Sequence, residues 1–177
     1  MNVLALALGI ASLHFSCPLQ AQVKDTAKWQ AFESAAGRYK VAFPAAPVMK
    51  QGKLRTEIGV VVSTRHTADG ADATYDVTYN DYPKDGIARL SAATLLETVR
   101  DGLVFQAKGH LASDRPITLG KVPGRELEIM GEDGMLYRIR LLLAGIRLYQ
   151  LTAMARPPAR PAEKKFFDSF QLTGETP

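Results

Sequence analysis

The clearest pattern in the chain lies between Pro123 and Ala155, where apolar and polar positions alternate with the period of two expected of β-strands. Glu132, Asp133 and Gly134 suit a three-residue hairpin loop, a type I turn followed by a glycine in the left-handed conformation. That loop predicts Ile129 opposite Tyr137, Leu127 opposite Ile139 and Arg125 opposite Leu141 on one face. On the other face it sets Glu128 against Arg138 and Glu126 against Arg140. A register one residue off opposes Arg125 to Arg140, so the charges themselves favour this alignment. A two-residue turn at Ala144 and Gly145 then predicts Leu143 with Ile146, Leu141 with Leu148 and Ile139 with Gln150. One face of this meander is strongly apolar. The other carries Glu126, Glu128, Arg138, Arg140, Arg147 and Tyr149, interrupted by Leu142 and Leu151, and reads as partly covered.

Upstream, the spacing of Trp29 and Phe32, with Ser34 before Gly37, predicts a short helical turn. Arg38 to Phe43 alternates as a strand with Tyr39, Val41 and Phe43 on one face, ended by Pro44 and Pro47. Leu54 to His66, with Ile58, Val60 and Val62 in alternation, reads as one strand and forms a hairpin with Thr74 to Asp81 across the turn-rich Thr67 to Ala73. From Ser91, a helix cap, Leu95, Leu96, Val99 and Leu103 recur at helical spacing and mark the main helix, with Gly102 inside it. Leu111 to Leu119 is a strand that Pro116 confines to an edge. Pro161 suits the first position of a helix running through Phe170, anchored by Phe166, Phe167 and Phe170, and Gln171 to Thr173 add a last strand.

With 177 residues, 46% hydrophobic and 23% charged, the chain has the size and composition of one globular domain with a real core. The net charge of +4 is spread along the sequence with no run that tracks a phosphate backbone, which argues against nucleic acid as a partner. Val3 to Leu13 is an uncharged apolar run of secretory length, and Ala21 supplies a small residue for cleavage before Gln22. Residues 1–21 therefore read as a signal peptide and 22–177 as a single domain, placed in the periplasm or secreted. The run is shorter than the about 20 residues that span a bilayer. Cys17 is the single cysteine, so no disulfide forms within the chain, and His14, Phe15 and Ser16 before it argue against a lipid anchor.

Candidate chemistry is sparse. His66 and His110 follow no zinc-ligand spacing and are expected at exposed strand ends, and no nucleophile elbow, metalloprotease helix, phosphate loop or dinucleotide fingerprint occurs. No cofactor, metal site or catalytic residue is assigned. The most pointed constellation is Glu126, Glu128, Arg138 and Arg140 beside Tyr149, because paired arginines next to an aromatic ring are suited to hold a carboxylate or phosphate. Asp76, Asn80, Asp81 and Tyr82 form a second polar cluster that turn chemistry explains equally well.

Gly37 to Pro44, Pro123 to Glu126, Arg147 to Leu151 and Phe166 to Phe170, in this order of elements, resemble the Mog1/PsbP-like α/β/α sandwich, in particular its small exported bacterial members. The resemblance implies an α+β fold, a mainly antiparallel sheet with helices on both faces. Members of that fold bind a GTPase or stabilise a photosynthetic oxygen-evolving complex, so the resemblance implies partner binding and fixes no activity. The expectation is an exported, non-enzymatic module that binds or stabilises an envelope protein. The alternatives are a small-ligand carrier using the arginine constellation, or a hydrolase pairing Asp81 with His66 or His110.

Overall fold

The computed structural model describes residues 28–56, 58–71, 73–158 and 162–174. The expected signal peptide, Cys17 and the helix-starting role of Pro161 lie outside the described residues. The strands are β1 (Gln30–Ser34), β2 (Tyr39–Phe43), β3 (Val48–Thr56), β4 (Gly59–Asp69) and β5 (Thr74–Asp81). Helices α1 (Lys84–Ile87) and α2 (Ala92–Gln106) follow, then β6 (His110–Leu119), β7 (Val122–Met130), β8 (Leu136–Ala144), β9 (Arg147–Ala155), α3 (Glu163–Ser169) and β10 (Gln171–Leu172). A seven-stranded antiparallel sheet runs in the order β3-β4-β5-β9-β8-β7-β6, and a smaller one in the order β1-β2-β10.

Two apolar clusters sit on opposite faces of the large sheet. Alternation along β7 and β8 sends Leu127, Ile129, Ile139, Leu141 and Leu143 to one face, where Leu95 and Leu96 of α2 cover them. Ser91 caps α2 by accepting the Thr94 amide at 3.0 Å, and the helix runs unbroken through Gly102. The opposite face sends Val77, Tyr79, Leu142, Tyr149 and Leu151 against Tyr39, Val41 and Phe43 of β2 and against Phe166, Phe167 and Phe170. All three of these phenylalanines are buried, as their spacing predicts. The architecture is α+β with helices on both faces, and the small sheet adds cover beside α3.

The β7/β8 register is the expected one, with Glu126 opposite Arg140 and Glu128 opposite Arg138, and Gly134 takes φ +76°. The next hairpin differs from expectation by two residues: Ala144 pairs with Arg147, Leu143 with Leu148, Leu141 with Gln150 and Ile139 with Thr152. Gly145 takes φ +61° at the first loop position, as a type II′ turn requires, so the loop is Gly145 and Ile146. A shift of two keeps every side chain on its face, and the assignment of faces is unchanged.

Three further expectations are corrected. Trp29 and Phe32 do not form a helical turn, because Gln30–Ser34 is a strand paired with β2, with Phe32 on the rings of Phe43 and Tyr39 and Trp29 edge-on to Tyr75 at 5.1 Å. Leu54 to His66 is not one strand: the chain turns back after Thr56, and Thr56 pairs with Gly59. His66 is not an exposed strand end, since β4 continues to Asp69 and the imidazole is buried in mid-strand. The strand with Pro116 does form the sheet edge, and it carries a bulge between Leu111 and Ser113.

The quoted sequence motifs acquire physical reasons. A Cβ on Gly124 would lie 2.1 Å from the Leu141 carbonyl oxygen, so only glycine fits where β7 crosses β8. The loop before β2 is held from three sides: Ser34 Oγ accepts the Gly37 amide at 3.0 Å, Tyr149 donates to the Gly37 carbonyl at 2.7 Å, and Arg147 donates to the Ala36 carbonyl at 2.8 Å. Ser169 Oγ accepts the Ala42 amide at 2.8 Å, which ties α3 to β2.

Candidate functional site

The expected charged constellation is assembled by strand pairing. Arg140 donates to Glu126 at 2.6 Å and Arg138 to Glu128 at 2.9 Å. Helix α3 lies alongside, so Arg138 also donates to Glu163 at 2.7 Å, while Arg140 stands 3.8 Å from Asp168 and 4.8 Å above the Phe167 ring. Glu126 is shared with Arg115 of β6, and Asp168 with Lys164. Four cations thus face four carboxylates in one ladder. Burial pushes the Glu126 carboxyl up, but the guanidiniums of Arg140 and Arg115 outweigh this and hold it below its ordinary value. Clefts of about 280 Å³ and about 210 Å³ flank Arg140, the first beside Glu128, Arg138 and Lys164, the second over Ile117, Leu119 and Leu142.

Tyr149 does not join this ladder. It is fully buried beneath Tyr39 and Phe170, with its hydroxyl spent on Gly37. Its neighbour Arg147 makes a two-pronged pair with Asp81, at 2.6 and 2.8 Å, and lies 4.5 Å above the Tyr79 ring. Asp114, which sequence reading did not single out, accepts from Arg125 at 2.8 and 2.7 Å and from Arg100 at 3.0 Å, fastening α2 to the β6 edge. The bonds from Arg125, with help from Arg100, hold its carboxyl below the ordinary range.

The second polar cluster is dispersed by strand parity. Asp76 pairs with Arg65 at 3.1 Å, Asp81 turns to the opposite face, and Asn80 Oδ1 is buried with no hydrogen-bond partner among the described residues. The Tyr39 hydroxyl and His66 Nδ1 share a hydrogen bond at 2.8 Å, and the imidazole sits among the rings of Phe32, Tyr39 and Tyr79. Among the described residues neither His66 nor His110 has a carboxylate within ion-pair reach, and no cluster of three metal-ligating side chains forms. Asp81, which a hydrolase would pair with one of these histidines, is instead held by Arg147.

Burial holds the His66 imidazole below its ordinary value of 6.5. The unfolded chain therefore binds the proton first as pH falls, so this group's contribution to stability is complete above 6.5 and is lost as pH falls below it through the lowered folded-state value. Denaturant unfolding at steps from about pH 7.5 to about 5.5 is expected to show falling stability. His66→Gln should flatten that slope, and an unchanged slope would remove His66 as its cause.

The second surface is the β3/β4 hairpin. Every residue of β3 is exposed, and Val48, Met49 and Leu54 show 64%, 62% and 54% of their surface, with Val60 of β4 at 49%. The hairpin overhangs β5, whose last residue, Asp81, pairs with Val62. Pro83 braces its turn: a Cβ on Gly59, at φ +117°, would meet the Pro83 ring at 2.8 Å. Lys50, Lys53 and Arg55 project from β3 and make no ion pair among the described residues.

No protein-family model matches the chain, and no curated protein matches it. Among solved structures, the solution structure of cyanobacterial PsbP (CyanoP) from Synechocystis sp. PCC 6803 superposes with a TM-score of 0.58 at 13% identity, covering 82% of this chain and 93% of that one. The fold is PsbP-like. In this PsbP-like sandwich four of the five expected site residues, Glu126, Glu128, Arg138 and Arg140, come together. The first part of β3, from Val48 to Lys53, and its exposure escaped sequence reading. Its signal is weak: Val48 and Met49 fall in a stretch with no apolar alternation, as a strand without a buried face must, and Leu54 reads as the start of the following strand.

Proposed function

We propose that the protein is an exported, non-enzymatic module that binds or stabilises an envelope protein partner, using the β3/β4 hairpin. The observation that carries this reading is the hairpin itself. The exposed arm shows four large apolar side chains, Val48 and Leu54 on one face and Met49 and Val60 on the other, an amount of uncovered apolar surface that suits a partner contacting both faces of the hairpin. Export is supported by the apolar run Val3 to Leu13 and the small residue before Gln22. No helix among the described residues is long and apolar enough to cross a membrane.

Crosslinking of the tagged protein in the envelope of its own host is expected to capture a specific partner. A variant carrying Val48→Ser, Met49→Ser and Leu54→Ser should lose the capture while unfolding at the same temperature, since none of the three is buried. A monomer that crosslinks to nothing would overturn the partner reading. An intact Met1 in a cytoplasmic fraction would overturn export.

A second reading, a small-ligand carrier, is favoured by the cleft of about 280 Å³ beside Arg138 and Arg140. Both guanidiniums are already engaged, so an anionic ligand has to displace a protein carboxylate there. A carrier saturated at 100 times its dissociation constant gains about 2.7 kcal/mol, and a metabolite panel that shifts nothing in thermal unfolding would dismiss it.

A further inference from the structure

The two edges of the large sheet are built differently. Edge strand β6 has Pro116 in its ladder and a bulge between Leu111 and Ser113, two devices that stop another strand from pairing. Its cation Arg115 is taken by Glu126. Edge strand β3 has neither device: nine consecutive residues, Val48 to Thr56, pair with β4 without a register break and contain no proline. Such a strand presents a straight edge about 30 Å long at about 3.3 Å per residue. Its outward amides and carbonyls have no strand partner among the described residues.

The side chains along this edge specify what fits. Val48, Lys50 and Leu54 point to one face, and Met49, Gln51, Lys53 and Arg55 to the other. Apolar groups therefore alternate with three cations that make no ion pair among the described residues. Lysine alone also serves to blunt edges, but a blunted edge does not keep three large apolar side chains beside it. Pairing β3 with β3 of a second copy would gather six cations with no carboxylate on either strand, which disfavours a homodimer through this edge.

We propose that β3 accepts an extended acidic segment of the partner protein as an eighth strand of the large sheet. Backbone hydrogen bonds supply the pairing, Val48, Met49 and Leu54 supply apolar contacts, and carboxylates of the incoming strand meet Lys50, Lys53 and Arg55. This rests on the partner-binding reading above and adds to it the mode and charge of the partner.

The probes are three ten-residue peptides read by fluorescence anisotropy against the whole protein: one alternating valine with glutamate, one alternating valine with lysine, and the acidic one methylated on alternate backbone amides. The acidic peptide is expected to bind and to slow hydrogen exchange within β3, while the other two bind roughly ten-fold or more weakly. The triple variant Lys50→Glu, Lys53→Glu, Arg55→Glu should reverse the charge preference. Equal binding of acidic and basic peptides, or indifference to methylation, would overturn the proposal. So would a triple variant that merely self-associates, because the cations would then serve only to blunt the edge. If the peptides fail while capture of the envelope partner still depends on Val48, Met49 and Leu54, strand addition alone falls. If that capture also fails, the partner-binding reading falls with it.

Discussion

Phe166→Ala is expected to cost about 3 to 5 kcal/mol of folding stability. The Phe166 side chain is fully buried and packs on Phe43 at 5.6 Å, Tyr75 at 5.2 Å and Phe167 at 5.4 Å between ring centroids. It therefore joins strand β2, strand β5 and helix α3 at one point. Phe43 and Tyr75 stand on ladder-bonded strands of the two sheets and cannot collapse into the space that the ring leaves, which places the cost at the upper part of the range for large-to-small changes. Phe105→Ala is the control, because that ring is 83% exposed and its loss should fall within about 0.5 kcal/mol of neutral. Equilibrium unfolding in urea measures both. A near-neutral result at Phe166 would mean that α3 is peripheral to the fold.

Arg147→Met should destabilise by about 3 kcal/mol. The change leaves the Asp81 carboxylate without its two-pronged partner, strips the Ala36 carbonyl of its donor and removes the cation above the Tyr79 ring. Arg147 is 7% exposed, whereas the Asp81 side chain keeps 31% of its surface, so water partly relieves the orphaned carboxylate and holds the cost below the worst case for a buried pair. The double variant Arg147→Met, Asp81→Leu should cost less than Arg147→Met alone, since it leaves no unpaired charge. Additive costs would show that the two residues act independently. A neutral Arg147→Met would free this guanidinium from structure and make it available to a ligand.

The parts of the fold legible in the sequence were those where burial or turn chemistry writes a local pattern. Gly134 and the opposed charges of Glu126, Glu128, Arg138 and Arg140 gave the β7/β8 register, and the spacing of Leu95, Leu96, Val99 and Leu103 gave α2. Gly145 was legible as a turn glycine but not its position within the turn, which depends on the sign of φ at each loop residue. Strand β1 escaped because a short strand holding one inward aromatic, Phe32, leaves too few points to separate a period of two from a helical turn. The burial of His66 escaped with it, since its cover is Tyr39 and Phe32, 27 and 34 residues earlier in the chain. As for the candidate site, strand parity assembled the four charged residues, but nothing local shows that Glu163 and Asp168 of α3 complete the ladder.

Strand β2 is paired on one side with β1 and on the other with β10, and Thr173 donates to the Arg38 carbonyl at 2.9 Å. The first and last described strands are thus neighbours in a single small sheet, and the cluster beneath it joins Tyr39, Val41 and Phe43 to Phe166, Phe167 and Phe170. Contacts this far apart in the chain form late and slowly. A polypeptide still emerging from a ribosome carries β1 and β2 long before Phe166, Phe167, Phe170 and β10 follow. It can build the meander and α2 early, but it has no means of sealing the other face until α3 and β10 have emerged, so that side stays open and pliable while they are missing.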